Sequence, residues 1–158
     1  MFAGRGRIFD AQLAELQAVW AQQPRGYAGP IGPAPVQPCG PPLLIGGNAP
    51  AAFRRMTEYG AGWIMGGGGP EAFTAGADQA RRAWREAGRA GAPRLAALAY
   101  ASLGDDAKAH AWAYLTDYYS FTGDYAERIA ASALTSPQKV ADTVAAFTRL
   151  RRTDPLPL

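Results

Sequence analysis

Apolar positions along the chain fall into three short unbroken runs, separated by stretches of helical spacing, with glycine and proline gathered at the joints. The first periodic stretch, residues 9–21, sets Phe9, Leu13, Leu16 and Trp20 on one helical face, with Asp10 near its start as a candidate cap. Residues 22–42 carry repeated prolines, each of which fixes φ and biases its predecessor toward extended geometry, so a long non-helical connection is predicted. Connections of that length often cover a binding site.

Leu43, Leu44 and Ile45 form an apolar run without alternation, as in a strand buried on both faces. Asn48, Ala49 and Pro50 then supply an N-cap and a first-turn proline for a helix over 51–59, which ends at Gly60. The unit repeats at once. Gly62, Trp63, Ile64 and Met65 make a second run, residues 66–69 a second glycine loop, and 71–87 a second helix, weakest at Gly76 and stopping near Gly88. A third apolar run covers 95–103. Strands alternating with helices in this way predict an α/β fold with a parallel sheet or barrel. Beyond Gly104 the spacing predicts helices over 105–119, 121–133 and 136–150, the last opened by Ser136 and Pro137. Trp112, Tyr114, Leu115, Tyr118 and Tyr119 crowd the first of these, and such spacing is read as core or interface packing.

Composition narrows the picture. A length of 158 residues with 48% hydrophobic and 18% charged side chains fits one globular domain over 1–158, and excludes a disordered tail or a disulfide mini-protein. The net charge of +3 is spread along predicted helices without a basic, aromatic-interleaved stripe, so no nucleic-acid partner is expected. The densest basic group, Arg149, Arg151 and Arg152, is assigned no partner. Cys39 and His110 are each the only residue of their type, which leaves no internal disulfide and too few ligands for zinc. Cys39 is read as a small apolar residue, and His110 is given no role. With no long apolar run and no leader, neither a membrane span nor a secretory signal is expected, and a cytoplasmic location follows by default.

The candidate chemistry lies at the two glycine loops. Glycine permits a sharp turn after a strand and close approach of a ligand to the amides, while the next helix start offers unpaired N–H groups to an anion. In a parallel array both loops reach the carboxyl edge of neighbouring strands, where such folds bind ligands. Gly46, Gly47, Asn48 and Ala49 are therefore candidates to cradle a phosphate, with Ile64, Met65 and Gly66 beside them. No Walker lysine and no GxGxxG accompanies them, and spacing alone accounts equally well for plain tight βα turns. Glu71, Asp105 and Asp106 sit where helix starts favour negative charge, which suffices to explain them.

The succession FDAQLAELQAVW, then PPLLIGGNAPAAFRRMTEYGAGWIMGGGGPEAF, then AWREAGRAGAPRLAALAY resembles the luciferase-like flavin-dependent monooxygenases and their deazaflavin-using relatives, over roughly residues 9–150. The resemblance implies a (β/α)8 TIM barrel that binds FMN or a deazaflavin at the carboxyl ends of its strands. It implies that Gly46, Gly47, Asn48 and Ala49 lie near the flavin phosphate, and that Ile64, Met65 and Gly66 border the isoalloxazine or its ribityl chain. A whole barrel takes about 250 residues, so the expectation is a partial barrel of about three parallel strands, the carboxyl-terminal part alone. Such a sheet leaves edge groups and an apolar inner face to be covered by a second copy or a complementing barrel half. The implied function is that of a fragment of a flavin-dependent oxidoreductase acting on a small-molecule substrate, with no metal and no catalytic residue assigned. The alternatives are a noncatalytic α/β interaction module and an inactive gene remnant.

Overall fold

The computed structural model describes residues 4–152, with side chains through residue 150. Arg151 and Arg152 of the basic group therefore have side chains outside the described residues. Three short strands, β1 (Leu44–Gly46), β2 (Gly62–Met65) and β3 (Arg94–Ala97), form one parallel sheet in the order β1-β2-β3. Each is followed by a helix: α2 (Pro50–Tyr59), α3 (Pro70–Glu86) and α4 (Ala107–Tyr118). Helix α1 (Arg5–Trp20) precedes them, and α5 (Tyr125–Ala131) and α6 (Pro137–Arg152) follow. The three parallel strands with flanking helices match the α/β architecture that the alternation of runs predicts.

Strand register explains the two faces of the sheet. Ile45, Trp63 and Leu95 are paired neighbours, and with Met65 they join the cluster in which Phe53 and Met56 of α2 and Phe73, Ala77, Ala80 and Trp84 of α3 are buried. Alternation then puts Leu44, Gly46, Ile64 and Ala96 on the opposite face, where Ile64 and Ala96 are only half-buried. β1 and β3 are the two edges.

Trp63 is the centre of the packed face. It is 0% exposed, and its ring lies 6.2 Å from that of Phe53 and 5.8 Å from that of Phe73. Helix α3 passes unbroken through Gly76, since a side-chain carbon at that position would collide with the Trp63 ring. The residue that weakens the helix locally is required by the neighbour it packs on.

Several boundaries and roles differ from expectation. Helix α1 starts at Arg5, so Asp10 is no cap; it lies mid-helix and accepts hydrogen bonds from Arg55 Nε at 2.6 Å and Arg54 Nη2 at 3.0 Å, tying α1 to α2. These guanidinium bonds, Arg55 first, hold the Asp10 carboxyl below its ordinary range. Asn48 does not cap α2; Ala49 occupies that position without a side-chain bond, and Pro50 opens the helix. Gly60 closes α2 in extended rather than left-handed geometry, and it is small because a Cβ there would press on the Met56 carbonyl. Gly88, at φ +65°, is the left-handed glycine after α3. β3 is shorter than the run over 95–103; the Leu98 amide still donates to the Met65 carbonyl at 3.0 Å, after which the chain leaves the sheet and Ala101 makes a separate bridge to Leu134. Ser136 behaves as read, its hydroxyl accepting from the Lys139 amide at 3.2 Å. Cys39 is exposed at a turn of φ +64°, not buried as a small apolar residue would be.

Candidate functional site

At the carboxyl ends of all three strands opens a cleft of about 480 Å³, a volume in the range of small-molecule sites. β1 contributes Gly47 and Asn48, β2 contributes Met65 and the glycines at 66–69, and the segment after β3 contributes Leu98, Ala99 and Tyr100. The two glycine turns, separated in sequence by a helix, thus share one wall. The connection over 22–42 supplies no lining residue, contrary to its expected role as a cover.

The first turn is held from beneath. The Trp63 indole donates to the Gly47 carbonyl at 2.9 Å, which satisfies a buried N–H and fixes the turn to the strand beside it. Gly47 has φ +107°, a backbone region that glycine alone enters readily. In the second turn Gly67 and Gly68 also have positive φ, at +153° and +109°. A Cβ built at Gly66, Gly67 or Gly69 would project into open space. The amides of Asn48, Gly67, Gly68 and Gly69 donate to no backbone or side-chain acceptor among the described residues. Both turns lead into helices of 10 and 17 residues. Free amides at two helix starts give this wall a positive potential toward an anion.

Of the residues singled out in the sequence, the structure brings Gly47, Asn48, Met65 and Gly66 to the cleft. Gly46, Ala49 and Ile64 do not line it. Gly46 and Ile64 are register partners on the sheet face turned away from the helices, and Ala49 is the exposed N-cap of α2. Met65 is 4% exposed and forms the floor under the second turn, with its thioether beside Gly68.

The opposite wall was not legible in the sequence. Tyr100 and Tyr119 share a short hydroxyl–hydroxyl hydrogen bond, with ring centroids 6.0 Å apart at 71°. That bond, together with partial burial, raises the Tyr119 pKa above the ordinary phenol value. α5 adds Tyr125, Arg128 and Ile129, and Ser132 follows, an i, i+3, i+4, i+7 face. The crowded run on α4 divides between core and surface. Ala111 and Leu115 are its buried contacts, Tyr114 and Tyr118 stack on each other in solvent, and only Tyr119 reaches the cleft. A regular spacing of aromatics on one helix could not reveal that Tyr119 meets a tyrosine from the end of a strand.

A second hollow, about 660 Å³, runs along the open side of α1 among Ile8, Ala11, Leu16 and Val19; it is a trough away from the strand ends. Among the described residues no cluster of three or more His, Cys, Asp or Glu could hold a metal ion, and no helix is long and apolar enough to cross a membrane.

The family model for luciferase-like monooxygenases matches residues 2–153. The chain belongs to that family. No curated protein matches it. Luciferase-like monooxygenases generally use reduced flavin, and the glycine wall of this member fits a phosphate-bearing cofactor on two counts: its amides are unpaired, and its glycines leave open the space that side chains would fill.

Proposed function

We propose that this luciferase-like chain holds the phosphate-bearing tail of FMN or a deazaflavin at its first glycine turn and works as part of a (β/α)8 oxidoreductase. The observation that carries the reading is the convergence of both glycine turns, with free amides, on one cleft at the carboxyl ends of parallel strands. Gly47 and Asn48 bind the phosphate, supported from behind by Gly46 and Ala49. Met65 and Gly66 border the ring or ribityl chain, and Ile64 backs them from the inner sheet face. A bound reduced flavin supplies the reducing equivalents. The protein's own contribution is to orient the cofactor through backbone amides and to shield it with the tyrosine wall. Further strands, from a second copy or a complementing barrel half, close the uncovered face that carries Leu44, Ile64 and Ala96.

Titration of the full chain with FMN and with riboflavin, followed by flavin fluorescence, tests this. FMN should bind at least about tenfold more tightly, as expected for charge-assisted bonds to one phosphate. Equal affinity, or no FMN binding at millimolar concentration, overturns it. One observation favours a noncatalytic interaction module, namely the solvent-facing stack of Tyr114 and Tyr118 together with Phe121, which is 80% exposed and contacts Tyr119. That reading requires indifference to both flavins.

A further inference from the structure

The wall of the cleft facing the glycine turns has its own chemistry. Among the described residues that line the cleft, Arg128 is the one charged side chain, and no ion pair ties it to a carboxylate. Four other arginines are committed to carboxylates, Arg54 and Arg55 to Asp10, Arg25 to Glu15 and Arg81 to Asp78; what sets Arg128 apart from the rest is its place in the cleft lining. A cation left free at the mouth of a pocket that holds no carboxylate of its own attracts an anion from solution.

Around it the lining is aromatic and apolar, formed by the rings of Tyr100 and Tyr119, set edge to face, and of Tyr125, with Leu98, Ile129 and Leu134. α5 is held by burial of Ala126 and Ala130, and Ile129 packs in the cluster that includes Tyr100 and Tyr119, so the arginine is carried on the element that contacts the tyrosine pair. The pair also has a fixed donor count. Two phenols carry two protons, and the bond between them uses one. Whichever hydroxyl donates, the proton of the other remains for a ligand.

We propose that this second wall is a specificity site for a planar organic acid, with Arg128 pairing to the substrate carboxylate and the Tyr100–Tyr119 pair donating one hydrogen bond to it. This rests on the flavin reading for the identity of the other wall, but not for its own test.

Benzoate and its neutral isostere benzamide are the probes, titrated by NMR into the full chain without flavin. Benzoate should bind at least about tenfold more tightly than benzamide, the size expected of a charge-assisted bond at an accessible site. Arg128→Met should abolish that preference, and Arg128→Lys should keep part of it. Arg128 is exposed, so both variants should retain wild-type helical circular dichroism. The paired Tyr100→Phe, Tyr119→Phe variant should lose a further two- to tenfold or so for benzoate, more than either single change, since each single change leaves one hydroxyl. Equal binding of the two probes, or an unchanged preference in Arg128→Met, overturns the proposal. So does Arg128→Met if it weakens FMN relative to riboflavin as much as it weakens benzoate, because the arginine then serves the cofactor phosphate. Failure of FMN to bind while benzoate discrimination persists defeats the flavin reading and leaves this one standing.

Discussion

Around β2 the core is built of large side chains: Trp63, Phe53, Phe73, Trp84, Met56 and Met65. Between α4 and α5 it is built of Ala111, Ala130 and Ala133 with a single Leu115, while Trp112, Tyr114 and Tyr125 face outward. The two regions supply the two walls of one cleft. The first buries several rings and ties its turn through an indole hydrogen bond; the second buries mostly methyl groups and so gains far less from leaving water. One wall is therefore backed by large buried rings and the other by a smaller cluster. A backbone cradle suits a cofactor common to a family, and a side-chain wall suits a substrate that varies.

The contrast is testable first at Trp63. Trp63→Ala removes two ring contacts and leaves the Gly47 carbonyl without its donor, and should destabilise the chain by about 3–5 kcal/mol in denaturant unfolding. The matched change Tyr118→Ala, on the exposed side of α4, loses only ring contacts with Tyr114 and Tyr119 and should cost no more than about 1.5 kcal/mol. Similar losses at the two sites would erase the distinction between the walls.

Gly76→Ala comes next. Helix propensity alone predicts a gain of about 1 kcal/mol, but the added methyl would meet the Trp63 ring, and overpacking of this kind should give a net loss of about 1–3 kcal/mol. A rise in melting temperature would show that the ring can move aside. Gly47→Ala should cost about 1–2 kcal/mol from its backbone conformation and should narrow the FMN-over-riboflavin preference. Retained preference at full strength would place the phosphate elsewhere.

The smallest effect concerns the link between α1 and α2. Asp10 has a folded pKa below its ordinary value of 3.8, owing first to the Arg55 hydrogen bond. A carboxylate lowered in the native state contributes stability that is fully present above its unfolded value and is lost as pH falls through the folded one. Asp10→Asn should thus separate from the wild type at neutral pH and converge with it as the pH falls below the ordinary carboxylate range. Parallel melting curves from pH 2 to 6 would remove the ion pair from the account of this half.

Much of the sheet side could be read in advance. Unbroken apolar runs, prolines at helix starts and the glycine loops gave β1, β2, α2 and α3 nearly to the residue, because these signals act over one or two turns of chain. Asp10 was misplaced for the opposite reason: a carboxylate near an apparent helix start resembles a cap unless its partners, over forty residues away, are known. Tyr100 and Arg128 carried no local signal and Tyr119 only that of a crowded aromatic run, since they come together as a wall only when α5 and the segment after β3 line one cleft.

The sequence by itself determined the alternation of strand and helix, the two glycine turns and the family, since period, backbone freedom and motif order are properties of neighbouring residues. Only the tertiary structure decided that both turns face one cleft, that Trp63 rather than the turns' own residues fixes the first of them, and that an unpaired arginine and a tyrosine pair stand opposite. Those facts depend on distances between segments remote along the chain, which burial and hydrogen bonding set once the helices have packed on the sheet.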